Sequence, residues 1–419
     1  MFRALSLAPK PGKLYDPASA SSDPPAWARG YGAEGANLLD CYLGAKVLFA
    51  TDEWFAVADN LLKHDPPQFD PLAFCSQGKV MDGWESRRRR LPGHDWCIIK
   101  LGMPGDVLGV DIDTRWFTGN NVPSCSIQAA EIEGDDWVPG VVERLARGGG
   151  EQGTAASPEQ IAACEAACEA AGPWFDLVPK IPLAAGYEET SLTRFEPDDD
   201  FPLKRITHIR FNYFPDGGVA RLRLWGQVAY TYEKAIVAGQ PMDLAAMAHG
   251  GIGVACSNKH YGVPRNLLQP GRGVDMGDGW ETARHPSRPG IVAVDPATGL
   301  SASSLGDWAV LRLGARTLRV DELVVDTHHF KGNFPESVFV EGSSLPLDAS
   351  TTDVLSSDDH WFPLLQRTRC RADTEHRWTF AAGELYTTPD GTATPAQPVT
   401  FLRVHIYPDG GIMRVRVIG

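Results

Sequence analysis

Residues Thr207 to Tyr213 alternate between two faces, with His208, Arg210 and Asn212 on one and Ile209, Phe211 and Tyr213 on the other. A period of two predicts a strand with one buried face. Phe401 to Ile406 alternates in the same sense, Arg403 and His405 lying opposite Leu402, Val404 and Ile406. Each run enters a Pro-Asp-Gly-Gly string, at 215–218 and 408–411, whose residue types demand a tight turn. Beyond each turn the alternation resumes. Arg221 and Arg223 share a face opposite Leu222 and Leu224, and Arg414 and Arg416 share one opposite Val415 and Val417. The pattern predicts two β-hairpins. Val47 to Ala50, Trp96 to Leu101, Val107 to Thr114 and Ser124 to Ala129 read as further strands. Asp111 and Asp113 fall on one face of the third of these. One helix stands out: Ser157 is a cap, Pro158 fits the first turn, and Ile161 to Ala171 is rich in Ala and Glu. Cys164 and Cys168 lie one turn apart on it and are expected to face the domain body. Turn residues are dense, with 43 Gly and 32 Pro. Many short strands and few helices predict an antiparallel β-sandwich of the jelly-roll form.

The chain repeats itself. Asp82-Gly83-Trp84-Glu85-Ser86-Arg87-Arg88 returns as Asp278-Gly279-Trp280-Glu281-Thr282-Ala283-Arg284. Asp113-Thr114 with Phe117, Gly119 and Asn120 returns as Asp326-Thr327 with Phe330, Gly332 and Asn333. Asn60-Leu61-Leu62, Asp95-Trp96 and the hairpin arginines recur in the same order, and Trp137 with Pro139 is matched to Trp361 with Pro363. This predicts an all-β tandem duplication of one domain of about 200 residues, an ordinary domain size. The expected layout is a loosely ordered leader over 1–30, a first domain over 31–228, a linker over 229–249 that is partly helical at 244–248, and a second domain over 250–419. An insertion is expected at about 148–197, where the second half offers nothing of equal length.

Composition narrows the function classes. A net charge of −14 disfavours nucleic acid and anionic membranes as partners. No apolar run approaches the roughly 20 residues that span a bilayer, and the N-terminus lacks the pattern of a secretory signal. Eight scattered cysteines in a chain of 419 residues read as reduced thiols. Together these features point to an intracellular, cytoplasmic protein. There is no nucleophile elbow, P-loop or dinucleotide fingerprint. No ligand set supports a metal, and no cofactor is implied, although a divalent ion would be compatible with hydrolysis. His328-His329 replaces Arg115-Trp116 of the first copy. On a strand the two rings would face opposite ways and would not share an ion. Arg87 to Arg90 reads as a solvated charge run, except that Arg88 has a counterpart in Arg284.

The repeated polar residues carry the candidate chemistry. Glu85, Asp113, Glu281 and Asp326 have general-base capacity. Arg88, Arg221, Arg284 and Arg414 offer planar forks for a carboxylate. Asn120 and Asn333 add hydrogen bonding, and Trp84 and Trp280 are expected to wall a pocket. Pro-Asp-Gly-Gly, with Asp216 and Asp409, reads chiefly as structure.

These motifs resemble those of the allantoicase family. Asp-Gly-Trp-Glu-(Ser/Thr)-x-Arg, Asp-Thr-x-x-Phe-x-Gly-Asn and (Tyr/Phe)-Pro-Asp-Gly-Gly-x-x-Arg each occur twice, and Asp52-Glu53-Trp54-Phe55 with Asn60-Leu61 adds to the match. The resemblance runs from about Gly44 to the C-terminus, apart from 148–197. It implies a pair of jelly rolls, a homo-oligomer, and hydrolysis of allantoate to ureidoglycolate and urea in purine breakdown. Allantoate carries a carboxylate and two ureido groups on one carbon. The corresponding expectation is that Arg284 or Arg414 binds the carboxylate, Glu281 or Asp326 activates water, and Asn333 bonds a ureido carbonyl. Two other readings remain at this stage: a carbohydrate- or ligand-binding sandwich without catalysis, and a hydrolase of a related ureido acid.

Overall fold

The computed structural model describes residues 12–15, 36–134, 136–198, 200–230, 241–291, 293–317, 320–380, 385–387, 393–394 and 397–419. The expected leader lies almost entirely outside these residues, as do residues 231–240 of the expected linker. Residues 36–229 and 230–419 form two compact units.

In the first unit, one long strand, Trp96–Asp113, organises both layers. Its first part pairs with Ile206–Phe214 on one side and Lys46–Ala50 on the other. Its second part pairs with Arg221–Val228 and Leu192–Glu196. The changeover falls at Gly102, Pro104 and Gly105, where the register against Ile206–Phe214 shifts. A strand that leaves one sheet and joins another is how a sandwich turns its corner. The two strands expected at 96–101 and 107–114 are therefore one, because the Gly-Pro-Gly stretch bends the ladder without ending it. Ser124–Ala130 and the edge strand Phe175–Pro182 complete the first sheet.

The second unit repeats this order. Ile252–Cys256, Asp307–Thr317, Val399–Tyr407, Ser337–Ser343 and Trp361–Arg369 form one sheet, and Glu375–Thr379, Glu322–Asp326 and Arg414–Ile418 form the other. The matching order corrects two expectations. Phe175–Pro182 and Leu192–Glu196 are ladder strands with counterparts at 361–369 and 375–379, so the extra length of the first copy lies before Trp174 and not across 148–197. Trp361-Phe362 therefore answers to Trp174-Phe175, each opening the edge strand, and Trp137 sits in the extra segment.

That segment carries two helices, α1 (Val141–Ala146) and α2 (Pro158–Ala171). Ser157 and Gln160 close a capping box on α2. Cys164 and Cys168 are buried with Phe49, Trp96, Val138 and Val141, so α2 lays its small residues on the sheet as expected. Arg144 of α1 reaches underneath. It donates to Glu53 at 2.5 and 2.9 Å, to Asp59 at 2.5 Å and to the carbonyl of Val47 at 2.9 Å. The residues at 241–249 include a single helical turn, Met247–His249, and are held to the second unit by Leu244 N–H on the carbonyl of Val417.

Candidate active site

The three repeated strings lock against one another. Phe117 is fully buried, and a Cβ on Gly218 would lie 2.1 Å from its ring and one on Gly83 2.7 Å from it. Phe330 stands in the same relation to Gly411 and Gly279, at 2.0 and 2.8 Å. Gly217 and Gly410 have φ of +131° and +140°, a conformation that favours glycine. The paired glycines of each turn thus serve two needs, backbone conformation and close approach of an aromatic ring. Asp216 and Asp409 accept the N–H of Arg89 and His285, pinning the loop after the Trp string.

Trp84 and Trp280 do not wall a pocket. Both are 0 % exposed, and each indole N–H donates to a backbone carbonyl, of Asp52 and Asn258 respectively. Trp84 packs on Tyr213 with ring centroids 4.1 Å apart. Strand alternation sends Trp84 inward and Glu85 the other way.

A cavity of about 660 Å³ opens in the first unit, its lining including Phe55, Ala56, Phe69 and Met81 and the polar or charged Asn60, Lys63, Asp65, Asp70, Asp82, Gln152 and Arg221. That volume suits a small ligand. At its base Asp82 accepts from Arg221 Nη2 and Lys63 Nζ, both at 2.7 Å, and from the N–H of Gln68 at 2.9 Å. Burial alone would raise the Asp82 pKa, but the bonds from Arg221 and Lys63 outweigh it and hold the carboxyl below its ordinary value. Arg221, itself 2 % exposed, spends its other N–H groups on the carbonyls of Asp65, Asp82 and Ala220. Arg223 grips the carbonyls of Lys63 and His64. The hairpin arginines therefore fix the loop that presents Lys63.

Glu85 is not itself a lining residue but is bonded to one. Its backbone exchanges two hydrogen bonds with Ala56, a lining residue, and its Oε1 accepts from Asn120 Nδ2 at 2.7 Å. Burial raises its pKa above the ordinary glutamate value, offset in part by Asn120. Asp113 lies outside the cavity lining. It accepts the N–H of Arg115 at 2.8 Å, and burial raises its pKa also.

The second unit keeps one of these arrangements and changes the others. Asn333 donates to Glu281 at 2.6 Å, repeating the Asn120–Glu85 pair. Asp326, however, is closed by Arg272 through two bonds of 2.8 and 3.0 Å, so both its oxygens are occupied and it is badly placed to take a proton from water. Asp278 accepts the N–H of Val274 in place of a lysine, and Arg414 Nη1 is used by the carbonyls of Asp278 and Met413. His328 and His329 follow the end of their strand at Asp326, and His329 has a φ of +67°. Their rings consequently meet at 3.9 Å, and strand alternation does not apply to them. His328 Nδ1 and the N–H of His329 both lie 2.8 Å from Asp373 Oδ1. Trp116 takes the same left-handed backbone in the first unit, and its indole donates to the carbonyl of Pro67.

Arg88 and Arg284 are exposed and carry no partner among the described residues. Arg88 lines a different cavity from Arg221 and Asp82. Among the described residues no three His, Cys, Asp or Glu side chains gather as a metal site. Lys63 and Gln152 were not among the sequence candidates. Lys63 is replaced by Gln269 in the second copy and Gln152 belongs to the extra segment, so a search for recurring residues passes over both. Asn60 did recur, and its Nδ2 bonds the carbonyl of Gly83 at 3.0 Å.

The comparisons with known proteins agree. The model of the allantoicase repeat matches residues 36–229 and again 242–419. A protein of Pseudomonas syringae pv. syringae described as a probable allantoicase is 35% identical over 91% of this chain and 95% of its own length. One from Pseudomonas fluorescens, described likewise, is 34% identical over the same shares. The crystal structure of allantoicase from Saccharomyces cerevisiae is 30% identical, covers 92% of this chain and 93% of its own, and superposes with a TM-score of 0.63.

Proposed function

The chain belongs to the allantoicase family, and from that premise we infer that it hydrolyses allantoate to ureidoglycolate and urea, with the substrate held in the first-unit cavity. The observation that carries the activity is the family's repeat found twice along almost the whole described chain. The placement of the substrate rests on the donors of the cavity floor. Lys63 and Arg221 meet Asp82 there, Asp65 and Asp70 also lie on the lining, and Lys63 keeps donors for the carboxylate of allantoate. Arg221 has four of its five N–H groups engaged and acts chiefly through its charge. Lys63 is half exposed and spends one of its three donors on Asp82, so it is the direct ligand. The side-chain oxygens of Asn60 and Gln152 accept from ureido N–H groups.

Glu85 takes the proton of the attacking water. The water oxygen bonds to the central carbon, the bond from that carbon to one ureido nitrogen breaks, and that nitrogen gains a proton and leaves as urea. Asn120 orients the Glu85 carboxylate. In the second unit Glu281, Asn333, Arg284 and Arg414 repeat the residue types, but the Arg272–Asp326 clasp sets that copy apart. Homo-oligomerisation and a cytoplasmic location complete the reading, the second supported by eight unpaired cysteines and by the lack, among the described residues, of a helix long and apolar enough to cross a membrane.

The test is direct: purified protein is incubated with allantoate, and urea and ureidoglycolate are quantified together, with ureidoglycolate as a parallel substrate. Equal yields of the two products from allantoate support the reading. No urea from allantoate rejects it, and faster urea release from ureidoglycolate reassigns the enzyme to that ureido acid.

A further inference from the structure

A second cavity of about 600 Å³ in the first unit is lined by the four arginines Arg87 to Arg90, with Asp52, Asp95 and Phe55. We propose that this cavity binds a small dianion of the phosphate class, and that its occupancy alters the neighbouring substrate cavity through Phe55. The charges set the ligand class. Four guanidinium groups against two carboxylates leave two positive charges in excess. Asp52 is engaged by Arg87 Nε at 2.7 Å and Asp95 Oδ1 by Arg89 Nη1 at 2.8 Å, while Asp95 Oδ2 is buried without a donor. Arg88 and Arg90 are exposed and without a partner among the described residues, and Arg89 Nε is buried without an acceptor. A buried N–H left unbonded is costly, and an anion oxygen in the cavity would satisfy it. Guanidinium forks suit phosphate oxygens.

The site does not belong to the repeated machinery. Arg87 and Arg90 correspond to Ala283 and Pro286 in the second copy, so the cluster is particular to the first. Phe55 lines both cavities. Asp52, which holds Arg87, also accepts the N–H of Trp54 at 3.1 Å, and Ala56 pairs with Glu85. Segment 52–56 therefore connects the arginines to the carboxylate beside the substrate cavity. The coupling rests on reading that neighbour as the substrate site, whereas the binding does not.

Inorganic phosphate is titrated calorimetrically into the full chain at low ionic strength and neutral pH. One phosphate per chain is expected, with a dissociation constant of about 1 mM or tighter. Arg90→Glu should weaken it at least about tenfold while leaving allantoate turnover without phosphate unchanged, and Arg88→Ala should weaken it also. Both side chains lack partners, so circular dichroism should match the unaltered protein. Phosphate should shift the KM for allantoate in the unaltered protein and not in Arg90→Glu. Absence of binding, or equal affinity in Arg90→Glu, overturns the site, and binding with an unmoved KM overturns the coupling. Should no variant release urea, the substrate reading fails while the calorimetry still decides the site.

Discussion

Glu85 and Glu281 hold the same place in the repeat and the same asparagine partner, yet Glu85 is bonded through its backbone to Ala56 of a cavity that presents Lys63, where the second copy has Gln269. Glu85→Gln should lower urea release at least about a hundredfold, the scale of a lost general base, with the fold intact by circular dichroism. Glu281→Gln should cost less than about threefold, and the reverse order would move the active site to the second unit. Because burial raises the Glu85 pKa and a base must be ionised, turnover should climb with pH through a midpoint above the ordinary 4.5. Asp82 has the opposite sign. Its folded pKa lies below the unfolded value of 3.8, so its ion pairs stabilise the fold above that value and are lost as pH falls through the folded one. Asp82→Asn should flatten this acid limb. It should also destabilise the fold by about 2 kcal/mol in denaturant titrations, since Arg221 keeps its burial and loses its counter-charge at a partly exposed site.

At the scale of elements, the terminal hairpins were legible because one face carries polar side chains and the other apolar ones, which writes a clean alternation into the chain, although His208, Asn212, Arg221 and Arg414 of the polar face are buried. The long strand 96–113 was not, since Gly102, Pro104 and Gly105 mark a change of sheet and look in sequence like a turn. Phe175–Pro182 was hidden for another reason. Its Pro179 and Pro182 are tolerated only because it is an edge strand, and edges are properties of the assembled sheet. The extra segment is fastened by Arg144, which no motif announced. Arg144→Ala leaves Glu53 and Asp59 without their cation and should cost about 3 kcal/mol by urea denaturation, while a change below about 1 kcal/mol would show the segment is held by packing alone. Gly411→Ala drives a methyl into Phe330 and should destabilise by about 1–3 kcal/mol in the same measurement.

For the molecule as a whole, a net charge of −14 opposes an anionic substrate at long range, while Lys63 and Arg221 attract it at contact. Salt screens the long-range part first, over a Debye length of about 8–10 Å. The kcat/KM for allantoate should therefore rise about two- to threefold as ionic strength is brought up to about 0.15 M, and a steady fall would mean that local attraction governs encounter. The chain itself determined the duplication, the sandwich class, the hairpins and the family, because these are carried by short-range alternation and by strings that recur in order. The sequence alone could not determine that Trp84 and Trp280 lie in the core, that Arg272 closes Asp326, or that Lys63, Gln152 and Arg221 face one hollow. Those facts depend on which residues, distant along the backbone, the folded sheets bring within a few ångströms, and a one-dimensional pattern does not encode that proximity.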